Sequence, residues 1–227
     1  MASPSGQSAN GTTNRDAYRQ SFLRNIHRLL ELGYQSLVVK SYTNAEEDDI
    51  TGDICKRMKE LTEENPTEKW MAHFSIHDQD PLNDRLHPDT GKVRRGKRRP
   101  RLDIRLMNNK SMPKPRFCVE AKRLYSSNSV SGYMDDEGLG AFISGYYADK
   151  DDAAGMLGYV QADSVTEWLP KLRKKLLSDT GLQPQAKGEL WPSFQFKGGP
   201  ANTYLSLHKR VEKMPDLEVY HTFFVFG

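Results

Sequence analysis

Hydrophobic positions along the 227-residue chain change their period twice, from helical to strand-like and back. Spacings of three and four residues predict one helix over residues 18–30 and a second over 50–61, which ends before Pro66. From Trp70 the period becomes two residues. Three alternating segments, separated by turns, therefore predict a three-stranded antiparallel meander over residues 70–124.

Beyond the meander, helical and strand-like segments alternate. Helical spacing predicts helices over residues 133–147 and 165–177, an apolar run predicts a strand over 155–161, and alternation predicts two last strands over 203–208 and 218–226. This order predicts an α/β fold, with a central mixed β-sheet flanked by helices. The Ser-, Gly- and Asn-rich residues 1–14 predict a flexible tail, and residues 15–227 a single domain.

Composition bears mainly on location. No stretch approaches the roughly 18 to 20 consecutive apolar residues of a membrane span, and the first 14 residues have neither the basic flank nor the apolar core of a secretory signal. The two cysteines, Cys55 and Cys118, lie in apolar-periodic segments, which predicts buried free thiols in a reducing compartment. We therefore expect a cytoplasmic protein.

The positive charge is concentrated in one short segment. Seven basic residues fall within ten positions: Lys92, Arg94, Arg95, Lys97, Arg98, Arg99 and Arg101. Removing these seven charges from the net charge of +3 leaves −4, so the rest of the chain is mildly acidic. A local basic patch predicts contact with a polyanion such as the phosphate backbone of a nucleic acid. A solvated loop or a nuclear-import tract is the alternative interpretation.

Candidate chemistry lies on the last two strands of the meander. Alternation places Glu120 and Lys122 on the same strand face, and closure of the hairpin through residues 108–115 brings Asp103 beside Glu120. Two close carboxylates repel each other unless a cation lies between them, which predicts a Mg²⁺ or Mn²⁺ site at Asp103 and Glu120. Lys122 could then orient a metal-bound water and offset charge on a phosphoryl group, as hydrolysis of a phosphodiester requires.

These motifs resemble those of the PD-(D/E)XK nucleases of the restriction-endonuclease-like superfamily. The resemblance covers roughly residues 45–177 and implies a central mixed sheet and metal-dependent cleavage, usually of DNA. By position, Asp103 corresponds to the lone Asp of the motif, and Glu120 and Lys122 correspond to its paired acid and lysine. One departure is that Pro100 lies three positions before Asp103 instead of directly preceding it.

Many members of this superfamily also carry a Glu on the helix before the meander. Glu47 is the candidate for that role and for a third metal ligand, because it shares a helix face with Ile50 and Ile54. Glu46 and Asp49 are close competitors. Gln161, at the end of the predicted fourth strand, is a further polar residue that this arrangement could bring near the site.

Each candidate residue also has a purely structural interpretation. Glu120 and Lys122 could form an ion pair on an exposed sheet face, and Asp103 could pair with a flanking arginine, Arg101 or Arg105. Glu47 could simply favour the helix dipole.

The sequence leaves three classes of function open. The first is a nuclease that requires Mg²⁺ or Mn²⁺, which the resemblance implies acts as a dimer or as the effector subunit of a larger prokaryotic restriction or anti-phage complex. The second is a catalytically inactive subunit of the same fold that binds nucleic acid. The third is a protein-interaction module whose basic run binds an acidic partner. The expected partner is nucleic acid, DNA by the resemblance, and no membrane is involved.

Overall fold

The computed structural model describes residues 9–64, 66–81, 101–182, 184–185, 190–211 and 213–227. Its helices are α1 (Ala9–Gln35), α2 (Glu47–Lys59), α3 (Ser129–Met134), α4 (Leu139–Ile143) and α5 (Val165–Ser178). Its strands are β1 (Phe74–Pro81), β2 (Arg101–Asn108), β3 (Arg116–Leu124), β4 (Ala153–Val160), β5 (Thr203–His208) and β6 (Leu217–Val225).

The six strands form one sheet in the order β1-β2-β3-β4-β6-β5. The first three strands pair antiparallel as a meander. β4 lies parallel to both β3 and β6, and β5 returns antiparallel to β6. The predicted α/β fold, with a central mixed sheet flanked by helices, is confirmed.

The sheet separates two hydrophobic cores. One core joins α1 and α2 to the sheet, and the other joins α3, α4 and α5 to it. β4 runs between them with every residue buried, as expected for a central parallel strand covered on both sides. Gly158 on this strand lies so close to the ring of Phe223 that an added Cβ would come within 2.5 Å of it.

Several element boundaries differ from the predicted ones. α1 begins at Ala9, so residues 9–14 of the predicted tail are helical. The first strand begins at Phe74 because residues 71–73 form a 3-10 turn, and it continues into the segment predicted as a polar turn. The single helix predicted over 133–147 is two short helices, α3 and α4, because the chain breaks at Asp135–Gly138.

β2 changes face at Asp103. Leu102 packs in the core with α3, α4 and α5, whereas Ile104 and Leu106 pack in the core with α1 and α2. Alternation along the sequence predicts that Leu102, Ile104 and Leu106 share one face of this strand, and that prediction is wrong at Leu102. Among the residues described, no helix combines the length and apolar character needed to cross a membrane.

Candidate metal and catalytic site

The two predicted metal-binding carboxylates lie side by side on β2 and β3. Ile104 pairs with Val119, which places Asp103 and Glu120 one step further along the same two strands. Asp103 Oδ2 accepts a hydrogen bond of 2.7 Å from the backbone N–H of Ala121. Both side chains are buried, with Asp103 6% and Glu120 4% exposed. The short hairpin therefore brings two acids from different strands into one enclosed place.

The surroundings of the two acids disfavour their ionised forms. Burial raises the pKa of Asp103 to about 6, against the lowering effect of the Ala121 N–H. Burial, followed by repulsion from Asp103, raises the pKa of Glu120 well above its ordinary value. Glu120 Oε2 is buried and has no hydrogen-bond partner. A buried carboxylate oxygen without a partner is costly, and a cation beside it would remove that cost.

Lys122 projects from the same face of β3 as Glu120. Its Nζ donates to Glu120 Oε1 at 2.8 Å and to Glu47 Oε1 at 3.3 Å. Burial alone would lower the pKa of Lys122, but the carboxylates of Glu120 and Glu47 outweigh it and raise that pKa. The ammonium group is therefore positively charged at neutral pH. This arrangement suits stabilisation of negative charge better than acceptance of a proton.

Glu47 begins α2 and reaches the site from the helix. Its Oε2 accepts a hydrogen bond of 3.1 Å from the backbone N–H of Arg123, while Oε1 accepts from Lys122. The helix face that it shares with Ile50 and Ile54 packs against the sheet, since both of those side chains are fully buried. Of the acids considered for this helix, Glu47 contacts Lys122, and Glu46 pairs instead with the guanidinium of Arg123.

Gln79 and its partner Asp48 adjoin the site and were not among the predicted residues. The amide nitrogen of Gln79, on β1, donates to Asp103 Oδ1 at 3.2 Å and to Asp48 Oδ1 at 3.3 Å. Gln79 has a φ of 48°, in the left-handed region that residues other than glycine rarely adopt. Such outliers persist where the surrounding structure holds them and cluster at functional sites. The alternating pattern of β1 carries no signal of this conformation.

Gln161 lies next to the site, as considered from the sequence. Its amide oxygen accepts from Arg123 Nε at 2.8 Å, and its amide nitrogen donates to the backbone oxygens of Tyr42 and Ala45 at 2.7 and 2.9 Å. These bonds join the ends of β3 and β4 to the segment that leads into α2. They fix the start of α2, and with it Glu47, against the strand that carries Lys122.

The structure bears on two of the purely structural interpretations, an exposed ion pair of Glu120 with Lys122 and a pairing of Asp103 with a flanking arginine. Glu120 is buried, so its pair with Lys122 does not lie on an exposed sheet face. Asp103 accepts from Gln79 and Ala121, while the flanking Arg105 pairs with Asp80 at 2.9 Å.

The basic run falls mostly outside the described residues. Lys92, Arg94, Arg95, Lys97, Arg98 and Arg99 lie there, and Arg101 is the exposed first residue of β2, two positions before Asp103.

The carboxylate pair fits a magnesium ion in its donor chemistry. Mg²⁺ takes hard oxygen ligands and is commonly held by one or two carboxylates, with water and substrate phosphate completing its coordination. Asp103 and Glu120 supply two carboxylates, and Glu120 Oε2 is free to accept a ligand bond. Within the described ranges, no group of three or more His, Cys, Asp or Glu side chains could hold a metal, and both oxygens of Glu47 accept hydrogen bonds from β3.

A second buried polar network lies towards the opposite edge of the sheet, on β5 and β6. Ser206 Oγ lies 2.6 Å from His208 Nε2 and 2.7 Å from His221 Nε2, and Tyr133 Oη lies 3.0 Å from His221 Nδ1. His208 Nδ1 lies 2.8 Å from the backbone oxygen of Leu182, which can only accept, so His208 donates there.

One donor direction then satisfies the whole network. Because His208 donates through Nδ1, its neutral ring accepts from the Ser206 hydroxyl, Ser206 accepts from His221 Nε2–H, and His221 accepts from Tyr133. Burial lowers the pKa of His208 to about 4 and that of His221 well below its ordinary value, so both rings are neutral. This network meets its own hydrogen-bonding needs, in contrast to the carboxylate pair.

Comparison of the chain with models of protein families, with curated proteins and with solved structures finds no match.

Proposed function

We propose that this protein hydrolyses phosphodiester bonds of nucleic acid with the help of a divalent metal ion, Mg²⁺ or Mn²⁺. The observation that carries the proposal is the unpartnered, buried Glu120 Oε2 beside Asp103, with the ammonium of Lys122 in contact with the same glutamate. Buried carboxylates next to a positioned cation are the groups that phosphoryl transfer uses. The resemblance to PD-(D/E)XK nucleases rests on these same residues.

In this proposal Asp103 and Glu120 hold the metal ion. When bound, Mg²⁺ would act as a Lewis acid and lower the pKa of a water ligand. Lys122 would stabilise the negative charge that builds on the phosphoryl oxygens, since its raised pKa keeps it protonated. Glu47 would hold Lys122 in place through the 3.3 Å ion pair, and Gln79 would hold Asp103.

Nucleic acid is the substrate that the charge distribution favours. The basic run ends at Arg101, two residues before Asp103, so the strand that supplies a metal ligand begins with phosphate-binding charge. A phosphate backbone bound by this run would extend towards the carboxylates. A cytoplasmic location, DNA as the natural polymer, and a role in a restriction or anti-phage complex belong to the proposal through the resemblance.

The test is incubation with supercoiled plasmid, linear duplex and single-stranded DNA and RNA, each in Mg²⁺, Mn²⁺ or EDTA. We expect metal-dependent cleavage that Glu120→Gln and Lys122→Ala suppress. Lys171→Ala is the matched control, because Lys171 also forms an ion pair, with Asp163, but lies on α5. Absence of cleavage of every polymer in either metal would contradict the proposal.

One observation favours a second candidate, a subunit that binds nucleic acid without cutting it. Lys122 already provides a cation between Glu120 and Glu47, at 2.8 and 3.3 Å, so the protein partly neutralises these acids by itself. In that case, the same polymers would bind with strong salt dependence in EDTA. Added metal would change neither the binding nor the length of the polymer.

A further inference from the structure

A groove opens beside Lys122, where β3 leads into α3. It has a volume of about 310 Å³ and is lined by residues from the start of α2, the end of β3 and the first turns of α3. Lys122 and Glu47 form the wall on the side of the carboxylate site. Tyr125, Asn128 and Gly132 are among the residues that line the remaining walls. A ligand in this groove would therefore touch the same ammonium group that faces Glu120.

Tyr125 is the large aromatic side chain of this groove, and it is 53% exposed. The guanidinium of Arg123 lies over its ring, 4.5 Å from the centroid. Arg123 is itself held by Gln161 and Glu46, so the ring rests on a fixed support. A half-exposed aromatic ring that a guanidinium supports is suited to stacking with a flat partner.

The loop that carries Tyr125 is ordered by its own hydrogen bonds. Ser129 Oγ accepts from the backbone N–H groups of Tyr125 and Ser126, each at 3.2 Å, and the Ser129 N–H donates to the Ser126 carbonyl at 3.0 Å. Ordering in the free protein lowers the entropy lost when a ligand binds. The groove is thus formed before a ligand arrives.

The charges of the groove argue against a second phosphate as its occupant. Lys122 pairs with Glu47, and Arg123 pairs with Glu46, so the two cations that line the groove already have carboxylate partners. An additional phosphate would meet two acidic side chains. The surfaces that remain are the ring of Tyr125 and uncharged polar groups, including the exposed amide of Asn128. These surfaces match a nucleobase, which is flat and presents hydrogen-bonding edges.

From this arrangement we infer that the groove binds an unpaired nucleobase, stacked on Tyr125, next to the phosphate that lies at Lys122. The inference rests on the proposed function and specifies its substrate: a single strand, or a duplex whose end or target nucleotide has opened. A base within an intact duplex is already stacked on both sides and would have to leave the helix to enter. Tyr125 would position the strand and take no part in bond cleavage.

Binding in EDTA tests the inference apart from catalysis. The probes are a fluorescein-labelled DNA decamer and its blunt duplex, measured by anisotropy at about 0.2 M salt to weaken the phosphate contacts. We expect the single strand to bind more tightly than the duplex. Tyr125→Ala should weaken single-strand binding by about 5- to 150-fold, the usual range for loss of one base stack, and change duplex binding less than about twofold. Tyr125→Trp should restore single-strand binding.

A second variant, Gly132→Leu, blocks the groove without changing the ring. A Cβ added at Gly132 meets no atom within 4 Å, so Gly132→Leu projects into open space and should weaken single-strand binding as Tyr125→Ala does. Gly52 lies in equally open space on α2 and does not line the groove, so Gly52→Leu is the matched control and should bind normally. Unchanged single-strand binding in both Tyr125→Ala and Gly132→Leu, or equal losses for both probes, would overturn the inference.

Cleavage in Mg²⁺, assayed on the same variants, separates this inference from the proposed function. Base-dependent binding without any cleavage by the unmodified protein would retain the base-binding groove and reject hydrolysis. Cleavage by the unmodified protein, with single-strand binding unchanged in both Tyr125→Ala and Gly132→Leu, would retain hydrolysis and reject the groove. Failure of the unmodified protein to bind either probe would reject the groove as well.

Discussion

Two groups of buried polar side chains lie in the same sheet and differ in how they satisfy their hydrogen-bonding needs. On β2 and β3, Asp103 and Glu120 are acidic groups in an enclosed place, and Glu120 Oε2 has no partner. On β5 and β6, Ser206, His208 and His221 are neutral and complete one another's hydrogen bonds. The comparison separates a polar cluster that satisfies its own hydrogen bonds from one that leaves a buried oxygen unsatisfied, and an unsatisfied buried group persists at a cost in stability.

The largest expected effect is on turnover at the carboxylate site. Lys122→Ala should reduce turnover by about 10²- to 10⁴-fold, the usual cost of losing a positioned charge-stabilising group, and leave metal binding largely intact because an ammonium is not a ligand. Asp103→Ala and Glu120→Ala should remove metal binding and turnover together. Steady-state kinetics and calorimetry with Mg²⁺ measure the two properties.

Combining Lys122→Ala with Glu120→Ala should add little, since residues that act as a unit are not additive. Full activity in each single variant would end the assignment of these three residues. Loss of metal binding in Lys122→Ala as complete as in Asp103→Ala would indicate that β3 has misfolded or that the roles are different.

The next effect is on stability, and it should be larger in the histidine network. Ser206→Ala leaves nitrogens of His208 and His221 buried without a partner, so we expect a loss of about 2–5 kcal/mol in the free energy of unfolding. Glu120→Gln should change that free energy by less than about 1 kcal/mol, because it removes a carboxylate whose ionisation burial already disfavours. Urea denaturation of both variants in EDTA makes the comparison. A larger loss in Glu120→Gln would reverse the two assignments.

The two regions should also respond to pH with opposite signs. The pKa of Asp103 is raised to about 6, so its contribution to stability is full below the unfolded value near 3.8 and is lost as pH rises through 6. The pKa of His208 is lowered to about 4, so its contribution is full above 6.5 and is lost as pH falls through 4. Between pH 4 and 6 the two effects oppose each other in the metal-free protein.

Asp103→Asn removes one of these opposing effects. The loss of stability between pH 6 and pH 4 should then become steeper, by on the order of 2–3 kcal/mol for a pKa shift of about two units. Denaturation curves at pH 4, 5, 6 and 7 in EDTA measure the difference between the variant and the unmodified protein. Parallel stability profiles would show that Asp103 does not titrate in this range.

Divalent metal should stabilise the folded protein through the carboxylate site and not through the histidine network. If Asp103 and Glu120 bind Mg²⁺, a concentration ten times the Kd should add about 1.4 kcal/mol to the free energy of unfolding by mass action. The gain should disappear in Glu120→Gln and persist in Glu218→Gln. Glu218 lies on β6, away from the carboxylate site, and its carboxylate pairs with Arg19 of α1. Thermal unfolding with and without Mg²⁺ measures this gain, and an equal gain in both variants would place the ion elsewhere.

The sequence predicted the part of the site that depends on local periodicity. Alternation on β3 places Glu120 and Lys122 on one face. The short turn after β2 sets the pairing register of β2 with β3, and this register places Asp103 beside Glu120. Helix periodicity favoured Glu47, which follows the face of Ile50 and Ile54, but left Glu46 and Asp49 as competitors, and the contact with Lys122 is seen only in the structure. These relations involve spacings of a few residues or one hairpin.

The parts that the sequence did not predict depend on contacts between distant segments. Tyr133 and His221 are 88 positions apart, and nothing in the alternation of β6 distinguishes a buried histidine from a solvent-facing one. The support of Tyr125 by Arg123 depends in turn on Gln161, which follows β4. The reversal of β2 at Asp103 likewise requires cores on both sides of the sheet.

The left-handed backbone of Gln79 has a consequence for protein engineering. A side chain at a φ of 48° is disfavoured by about 1–2 kcal/mol, and glycine would remove that penalty at an entropic cost of about 0.5–1 kcal/mol. Gln79→Gly would therefore relieve about 0–1.5 kcal/mol of backbone strain, but it also removes the amide that donates to Asp103 and Asp48, at a cost of about 0.5–1.5 kcal/mol for each hydrogen bond. The two effects nearly cancel, so selection of a variant library for thermal resistance alone should leave glycine at position 79 neither enriched nor depleted, although Gln79→Gly releases the side chain of Asp103.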